Sequence, residues 1–354
     1  MTVLYNHKIL ITSAGGFLGH QNIEYLRKTF KKKIWILSSD SRAIDSSYLL
    51  SDHNIILPKG DSTNYIPEII KQIIKFKINF VFPCSDEEAL KLSNNIKKFR
   101  NLNVRIACQL PSVNRIISNK IKTYEFLKEN DIPVPEFRVA RSKLEIIRLV
   151  DHFYNNFEGA VIKEPRARGN RGTIVIAKNI RGCKIYNESR ELHMSLSYFK
   201  KYKNKLIKPG FPKLLCERLF SPCYDLDVLS ENGKYIYSVI RQRINSAGVP
   251  FRGNIIRKSK KLEGLAEKLV KLLGLSWLVD IDVMTKSNGE PAIIEINTRA
   301  SGSCVVSVIA GIPLYKLLLD SKTKKNIQNI VYPQDGLTVL PKIICETIKK
   351  NEKK

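Results

Sequence analysis

Acidic residues are scarce in this 354-residue chain: 33 Asp and Glu stand against 60 Lys and Arg, a formal charge of +27. That balance makes nucleic acid, anionic lipid or polyanionic substrates candidate partners. The charge is spread along the chain, which favours ordinary solvated faces over a dedicated nucleic-acid platform. Two clusters stand out: Lys200, Lys201, Lys203, Lys205, Lys208 and Lys213, and the tail residues Lys349, Lys350, Lys353 and Lys354. Only the first has aromatics nearby, Tyr198, Phe199 and Tyr202, which keeps nucleic acid open as a partner. The seven cysteines form no Cys-x-x-Cys, and the five histidines are isolated. A disulfide scaffold and a zinc site are thereby excluded, and a reduced, cytoplasmic chain is expected. No run approaches the roughly 18 apolar residues of a membrane span. No signal peptide is expected either, because the first residues lack a long apolar region and a cleavage site. A Gly-x-x-x-x-Gly-Lys-Ser/Thr loop is missing, as is any clear nucleophile constellation.

What is present is ordinary globular material, 43% hydrophobic and 26% charged. At about 150 residues per domain the length suggests two to three domains. Residues 8–12 read as a buried strand, 13–19 as a glycine turn, 20–30 as a helix, and 34–37 as a second strand ending near Asp40. A helix over 66–76 and a strand over 80–83 follow. This alternation predicts a parallel α/β unit ending near residue 115. A helix over 119–130 then precedes Ile132-Pro133-Val134-Pro135, which must be extended. Strands at 160–163 and 173–176 flank a basic glycine loop, residues 164–172, forming a hairpin with a long tip. Further strands are predicted at 214–217, 226–229 and 235–240, the last two joined by Asn232-Gly233. A helix over 262–273 stopped by Gly274, and strands at 278–284 and 292–296 around Asn288-Gly289, complete the pattern.

The chemistry concentrates in that last hairpin. Asp282 and Glu295 lie in its two strands, and Asn297 is two residues beyond Glu295, on the same side. Asp, Glu and Asn oxygens aimed at one point suit a hard cation such as Mg²⁺ beside nucleotide phosphates. Arg299 lies two residues further on, placed to meet a transferring phosphoryl group. Lys163 closes an apolar strand before the glycine loop, an arrangement suited to polyphosphate. Each feature has a plainer reading as well: solvated acids on an edge hairpin, and a lysine snorkelling at a strand end.

Glu295-Ile296-Asn297-Thr298-Arg299-Ala300-Ser301-Gly302 resembles the Glu-Ile-Asn-Pro-Arg-x-Ser-Gly signature of the ATP-grasp superfamily. The nearest members by motif are carboxylate–amine ligases like the carbamoyl-phosphate synthase large subunit. The resemblance spans residues 8 to 320 and takes in Asp61–Tyr65, Pro83–Glu88, Ser118-Asn119-Lys120, Ile132–Pro135 and Val161–Pro165. It implies an α/β chain with a Rossmann-like pre-ATP-grasp domain (1–115) followed by a two-part α+β ATP-grasp domain. The latter comprises a small lid subdomain (116–212) and a central subdomain with the metal site (213–325), before a basic extension (326–354). It also implies an ATP-dependent C–N ligase that releases ADP and phosphate, with small-molecule carboxylate and amine substrates, and a homodimer.

The resemblance assigns roles. Lys120 and Lys163 would contact ATP, and Gly169, Asn170 and Gly172 would close over its phosphates. Glu217 and Leu219 would hold the adenine end. Asp282, Glu295 and Asn297 would hold Mg²⁺, with Mn²⁺ as a substitute. Arg299 would stabilise phosphoryl transfer and Arg243 would face the acyl-phosphate. There are three departures: Thr298 replaces Pro, Asn119 replaces Asp, and Cys223 replaces a ribose-binding Glu, leaving Asp225 to take that contact. Two other readings compete. Ala14-x-Gly16-x-x-Gly19 with Asp40 resembles a dinucleotide fingerprint, and Tyr124 and Lys128 form a Tyr-x-x-x-Lys pair, as in an NAD(P)-dependent oxidoreductase or epimerase. A non-catalytic basic binding protein is the other.

Overall fold

The computed structural model describes residues 5–16, 18–43, 50–167, 169, 171–186, 191–245, 251–320 and 327–342. The N-terminal domain runs β1 (His7–Ile11), α1 (Gly19–Phe30), β2 (Ile34–Asp40), β3 (His53–Ile56), α2 (Tyr65–Phe76), β4 (Phe80–Phe82), α3 (Asp86–Asn94), α4 (Ile96–Arg100) and β5 (Arg105–Ile106). Its five strands are all parallel, in the order β3-β2-β1-β4-β5. In central β1 the neighbours Ile9, Leu10 and Ile11 are all buried, as a strand covered on both faces requires. The chain reverses direction across the sheet between β1 and β4, so the loops after these two strands flank a crevice.

Helices α5 (Pro111–Ile117) and α6 (Lys120–Glu129) lead into the lid. Asn119 caps α6: its Oδ1 accepts from the backbone N–H of Ile121 at 3.0 Å and of Lys122 at 3.4 Å. Asn serves this position as well as Asp does, which accounts physically for that departure. The lid sheet contains β6 (Phe137–Ala140), β7 (Gly159–Lys163), β8 (Ile174–Ala177), β9 (Cys183–Tyr186), β10 (Glu191–Met194) and β11 (Lys213–Glu217), with α7 (Lys143–Asn156) and α8 (Leu196–Leu206). Its order is β6-β11-β7-β8-β10-β9. The predicted hairpin is present as antiparallel β7–β8. The subdomain boundary at 212 needs correcting, however. β11 inserts between β6 and β7, so the lid continues to Glu217.

The third sheet is antiparallel, ordered β16-β15-β12-β13-β14-β17. It contains β12 (Phe220–Glu231), β13 (Lys234–Arg243), β14 (Asn254–Arg257), β15 (Trp277–Thr285), β16 (Pro291–Ile296) and β17 (Thr338–Val339), with α9 (Lys260–Leu273), α10 (Val305–Ile309) and α11 (Leu314–Leu319). β17 pairs with β14, so residues 338–339 belong to this sheet, although the sequence places them in a separate extension. Ser259 caps α9, and Gly274 ends it at φ 65°. The helix lays Leu262, Ala266, Leu269, Val270 and Leu273 on Leu226, Val228, Ile240, Val279 and Ile281 of the sheet. Strand alternation therefore commits the neighbouring residues of β12, β13 and β15 to the opposite face.

Candidate active site

That opposite face is ionic. Register aligns Glu295 with Asp282, Asp282 with Asp225, and Asp225 with Arg241, one continuous row across β16, β15, β12 and β13. Asp280 and Asp227 pair two residues along. Carboxylate oxygens of Asp225, Asp280 and Asp282 all lie within 4.8 Å of one another. Arg241 is fully buried and grips Asp227 with two bonds, Nε to Oδ2 at 2.8 Å and Nη2 to Oδ1 at 2.9 Å. Its Nη1 donates to Asn254 at 3.0 Å and to Ser303 at 2.9 Å. Arg243 joins Asp225 (Nε to Oδ1, 2.7 Å) to Asp282 (Nη2 to Oδ1, 2.9 Å).

Two arginines do not neutralise these acids. Burial pushes the Asp282 carboxyl up to about 6, with Asp225 and Glu295 adding repulsion against the pull of Arg243. Burial also raises Asp280 well above the carboxylate range, reinforced by Asp282 and Asp225. Asp225 moves the other way: burial opposes its charge, but Arg243 and Arg241 outweigh it. Asn297 is held against Asp280, its backbone N–H on the Asp280 carbonyl at 2.8 Å and its Nδ2 on Oδ2 at 3.1 Å. Glu295 receives Lys120 Nζ at 2.9 Å, and the same ammonium donates to the Ala167 carbonyl at 2.6 Å at the root of the glycine loop.

Between this face and the lid sheet lies a cleft of about 490 Å³. Val161 and Val175 from the lid, and Met284 and Ile294 from the third sheet, supply apolar walls. A bulge in β16 skips Ile294 and turns it into the cleft. Lys163, Glu217, Leu219, Arg243 and Asp282 line the same cleft. Lys163 Nζ stands 3.5 Å from the Tyr124 hydroxyl, which donates to the Ile294 carbonyl at 3.0 Å. Burial works against the Lys163 charge, but Tyr124, Cys216 and Glu295 overcome it, so the ammonium is held above its ordinary value. Glu217 is buried and accepts the Glu136 backbone N–H at 2.8 Å, which fixes the strand that carries it.

Not every expectation survives. Asp225 is taken up by Arg241 and Arg243, and Cys223, buried with its thiol pushed up to about 12, forms the wall where ribose was expected to meet Asp225. Arg299 is held by Asp86, its Nη2 donating to that carboxylate at 3.2 Å and its Nη1 to the Ala300 carbonyl at 2.9 Å, and it still feels the charges of Asp280 and Glu295. Thr298 Oγ1 donates to the other Asp86 oxygen at 3.0 Å, so the signature loop docks on the crevice of the N-terminal domain. Gly169 and Gly172 have φ of 57° and 75°, as the loop requires of glycine. Asn170 lies outside the described residues, as do Phe17, Arg168, residues 246–250 and the tail lysines.

The dinucleotide features have structural explanations instead. A Cβ on Gly19 would meet the Ala14 carbonyl oxygen at 1.8 Å, so that glycine permits close packing of α1. Asp40 accepts the Gly15 N–H at 3.2 Å. Lys128 pairs with Glu136 at 3.7 Å, and the amine beside Tyr124 is that of Lys163. Sequence reasoning missed Asp280 and Asp227, which only register brings together with Arg241. It also missed Glu191 and His193, 2.8 Å apart on β10 in the cleft wall. The alternation Glu191-Leu192-His193-Met194 was the available signal.

Comparisons with known proteins agree with this architecture. Residues 211–342 match the family model described as ATP-grasp in the biosynthetic pathway with Ter operon. Residues 9–107 match the PylC-like N-terminal domain. A carbamoyl-phosphate synthase from Methanobrevibacter smithii is 24% identical over 228 residues, which cover 61% of this chain and 54% of that protein. The chain thus spans about half the length of the curated relative it matches. Among solved structures, N5-carboxyaminoimidazole synthetase from Staphylococcus aureus superposes with a TM-score of 0.64 at 15% identity, covering 89% of this chain and 77% of that one. The biotin carboxylase domain of 2-oxoglutarate carboxylase from Hydrogenobacter thermophilus, complexed with MgADP, ADP and bicarbonate, superposes with a TM-score of 0.63 at 14% identity, covering 89% and 69%.

Proposed function

We propose, for a chain that belongs to the ATP-grasp superfamily, that it is an ATP-dependent ligase joining a carboxylate to an amine with release of ADP and phosphate. The observation that carries this reading is the acid row Glu295–Asp282–Asp225, short of positive charge, at the edge of a cleft holding Lys163. Its donor set is all oxygen, and burial raises Asp282, so the site suits a hard divalent cation. Asp282, Glu295 and Asn297 would hold Mg²⁺, with Asp280 orienting Asn297. Bound there, Mg²⁺ supplies charge neutralisation at the nucleotide phosphates.

The chain's own residues do the rest by position. The apolar walls and the Glu217–Leu219 strand end would take the base. Lys163 would meet the phosphates, and Lys120, now on Glu295, would exchange that carboxylate for them. The carboxylate substrate would enter from the crevice beyond β1 and β4, where Asp86 fixes Arg299. Its oxygen attacks the γ-phosphorus and ADP leaves, giving an acylphosphate. The substrate amine then displaces phosphate and forms an amide. The lid loop, tied to α6 through Lys120 and the Pro165 and Ala167 carbonyls, would exclude water from that intermediate. No protein nucleophile is needed.

The test is a screen of carboxylates for Mg²⁺-dependent ADP release, with hydroxylamine in place of the amine. The reading expects ADP and a hydroxamate in equal amounts with the right acid. ATP turnover indifferent to every carboxylate, with no hydroxamate, contradicts it.

A further inference from the structure

A second cavity, of about 190 Å³, lies at the opposite end of β12 from the nucleotide cleft. Nine residues separate Cys223 in the cleft from Asn232 at the cavity; at about 3.3 Å each, the two sites are roughly 30 Å apart. Its walls come from α4 and β5 of the N-terminal domain, the β12–β13 turn and the first residue of β15.

Three features set it apart from ordinary domain packing. Arg100 and Arg105 line it, and neither guanidinium has an ion pair or hydrogen bond among the described residues. Arg105 lies over the Phe80 ring at 5.3 Å; burial lowers its pKa, which Glu231, the one acid in the wall, only partly offsets. Ser230, 2% exposed, also lines the cavity, and its hydroxyl has no partner. Trp277 stands at φ 64°, a region that residues with a Cβ avoid. Gln109 enforces that backbone by accepting the Ser276 N–H at 3.0 Å and donating to the Ser276 carbonyl, while the Asn232 N–H donates to Ser276 Oγ at 2.9 Å. The indole is thereby presented at the cavity, edge-to-face with Phe80 at 5.7 Å.

We infer that this cavity binds a small organic oxyanion, a carboxylate or phosphate ester on a ring-sized apolar body. The two guanidiniums take the oxyanion, and Trp277 takes the ring. The site is independent of the ligase reading: it shares no residue with the nucleotide cleft.

The chain has two tryptophans, so Trp35→Phe leaves Trp277 as the sole indole reporter. Phenyl phosphate is titrated into that protein and emission is followed on 295 nm excitation. The expected result is a saturable change whose midpoint rises at least about tenfold in Arg105→Ala and in Arg100→Ala. Lys163→Ala leaves it unchanged, and inorganic phosphate binds at least about tenfold more weakly. Arg100 and Arg105 are both exposed, and the Arg100→Ala variant carries the test if Arg105→Ala melts poorly. A non-saturable response, curves in both arginine variants unchanged from the Trp35→Phe parent, loss in Lys163→Ala, or equal binding of inorganic phosphate overturns the proposal.

Discussion

Glu88 in the N-terminal domain and the acid row in the third sheet are both buried carboxylates, neutralised in opposite ways. Glu88 Oε2 accepts three hydroxyls, Thr12 at 2.6 Å, Ser13 at 2.8 Å and Ser85 at 3.0 Å, with no basic partner among the described residues. Burial raises its pKa, and the hydroxyls only moderate the rise. The acid row is instead laced with arginines, yet Asp280 and Asp282 are still raised. Three hydroxyls hold the single carboxyl of Glu88. Five acids gather around Arg241, Arg243 and Lys120, and two of them are still raised. The first arrangement lines a crevice; the second is the row proposed above as the cation site.

Three changes sharpen that contrast. Arg241→Met strands Asp227 in a dry interior and leaves Asp225 to Arg243 alone, and urea denaturation is expected to show a loss of about 3–5 kcal/mol. Next is pH. Asp282 is raised in the folded state, so the native protein holds a proton that the unfolded chain releases. Its contribution therefore weakens stability as pH rises from the ordinary carboxylate range through about 6. Mg²⁺ relieves that cost only when the carboxylate is ionised, so its increment in melting temperature is expected to be larger at pH 7.5 than at pH 5. Equal increments would break the comparison. The smallest effect is that of Glu88→Gln, which keeps an acceptor for the hydroxyls and is expected to change stability by no more than about 1 kcal/mol.

Much of this was legible in the sequence, for identifiable reasons. Local signals are strong where alternation meets a turn, as at Asn232-Gly233, where both residues adopt positive φ between β12 and β13. Lys120 and Glu295, far apart in the chain but both singled out by motif, do touch. Long-range pairing was not legible. Nothing local shows that β11 inserts between β6 and β7, or that Arg241, 41 residues before Asp282, shares its row. Asp225 shows the same limit: only cross-strand register reveals that two arginines hold it.

The central claim is that Glu295 and Asn297 complete a cation site for nucleotide phosphates. Calorimetric titration of ATP with and without Mg²⁺, in the intact protein and in the Glu295→Gln/Asn297→Ala variant, tests it most directly. The account predicts Mg²⁺-dependent binding in the intact protein and loss of the Mg²⁺ increment in the variant, with the fold retained. Equal Mg²⁺-dependent binding in both, or binding of NAD(P) and not ATP by the intact protein, would contradict it.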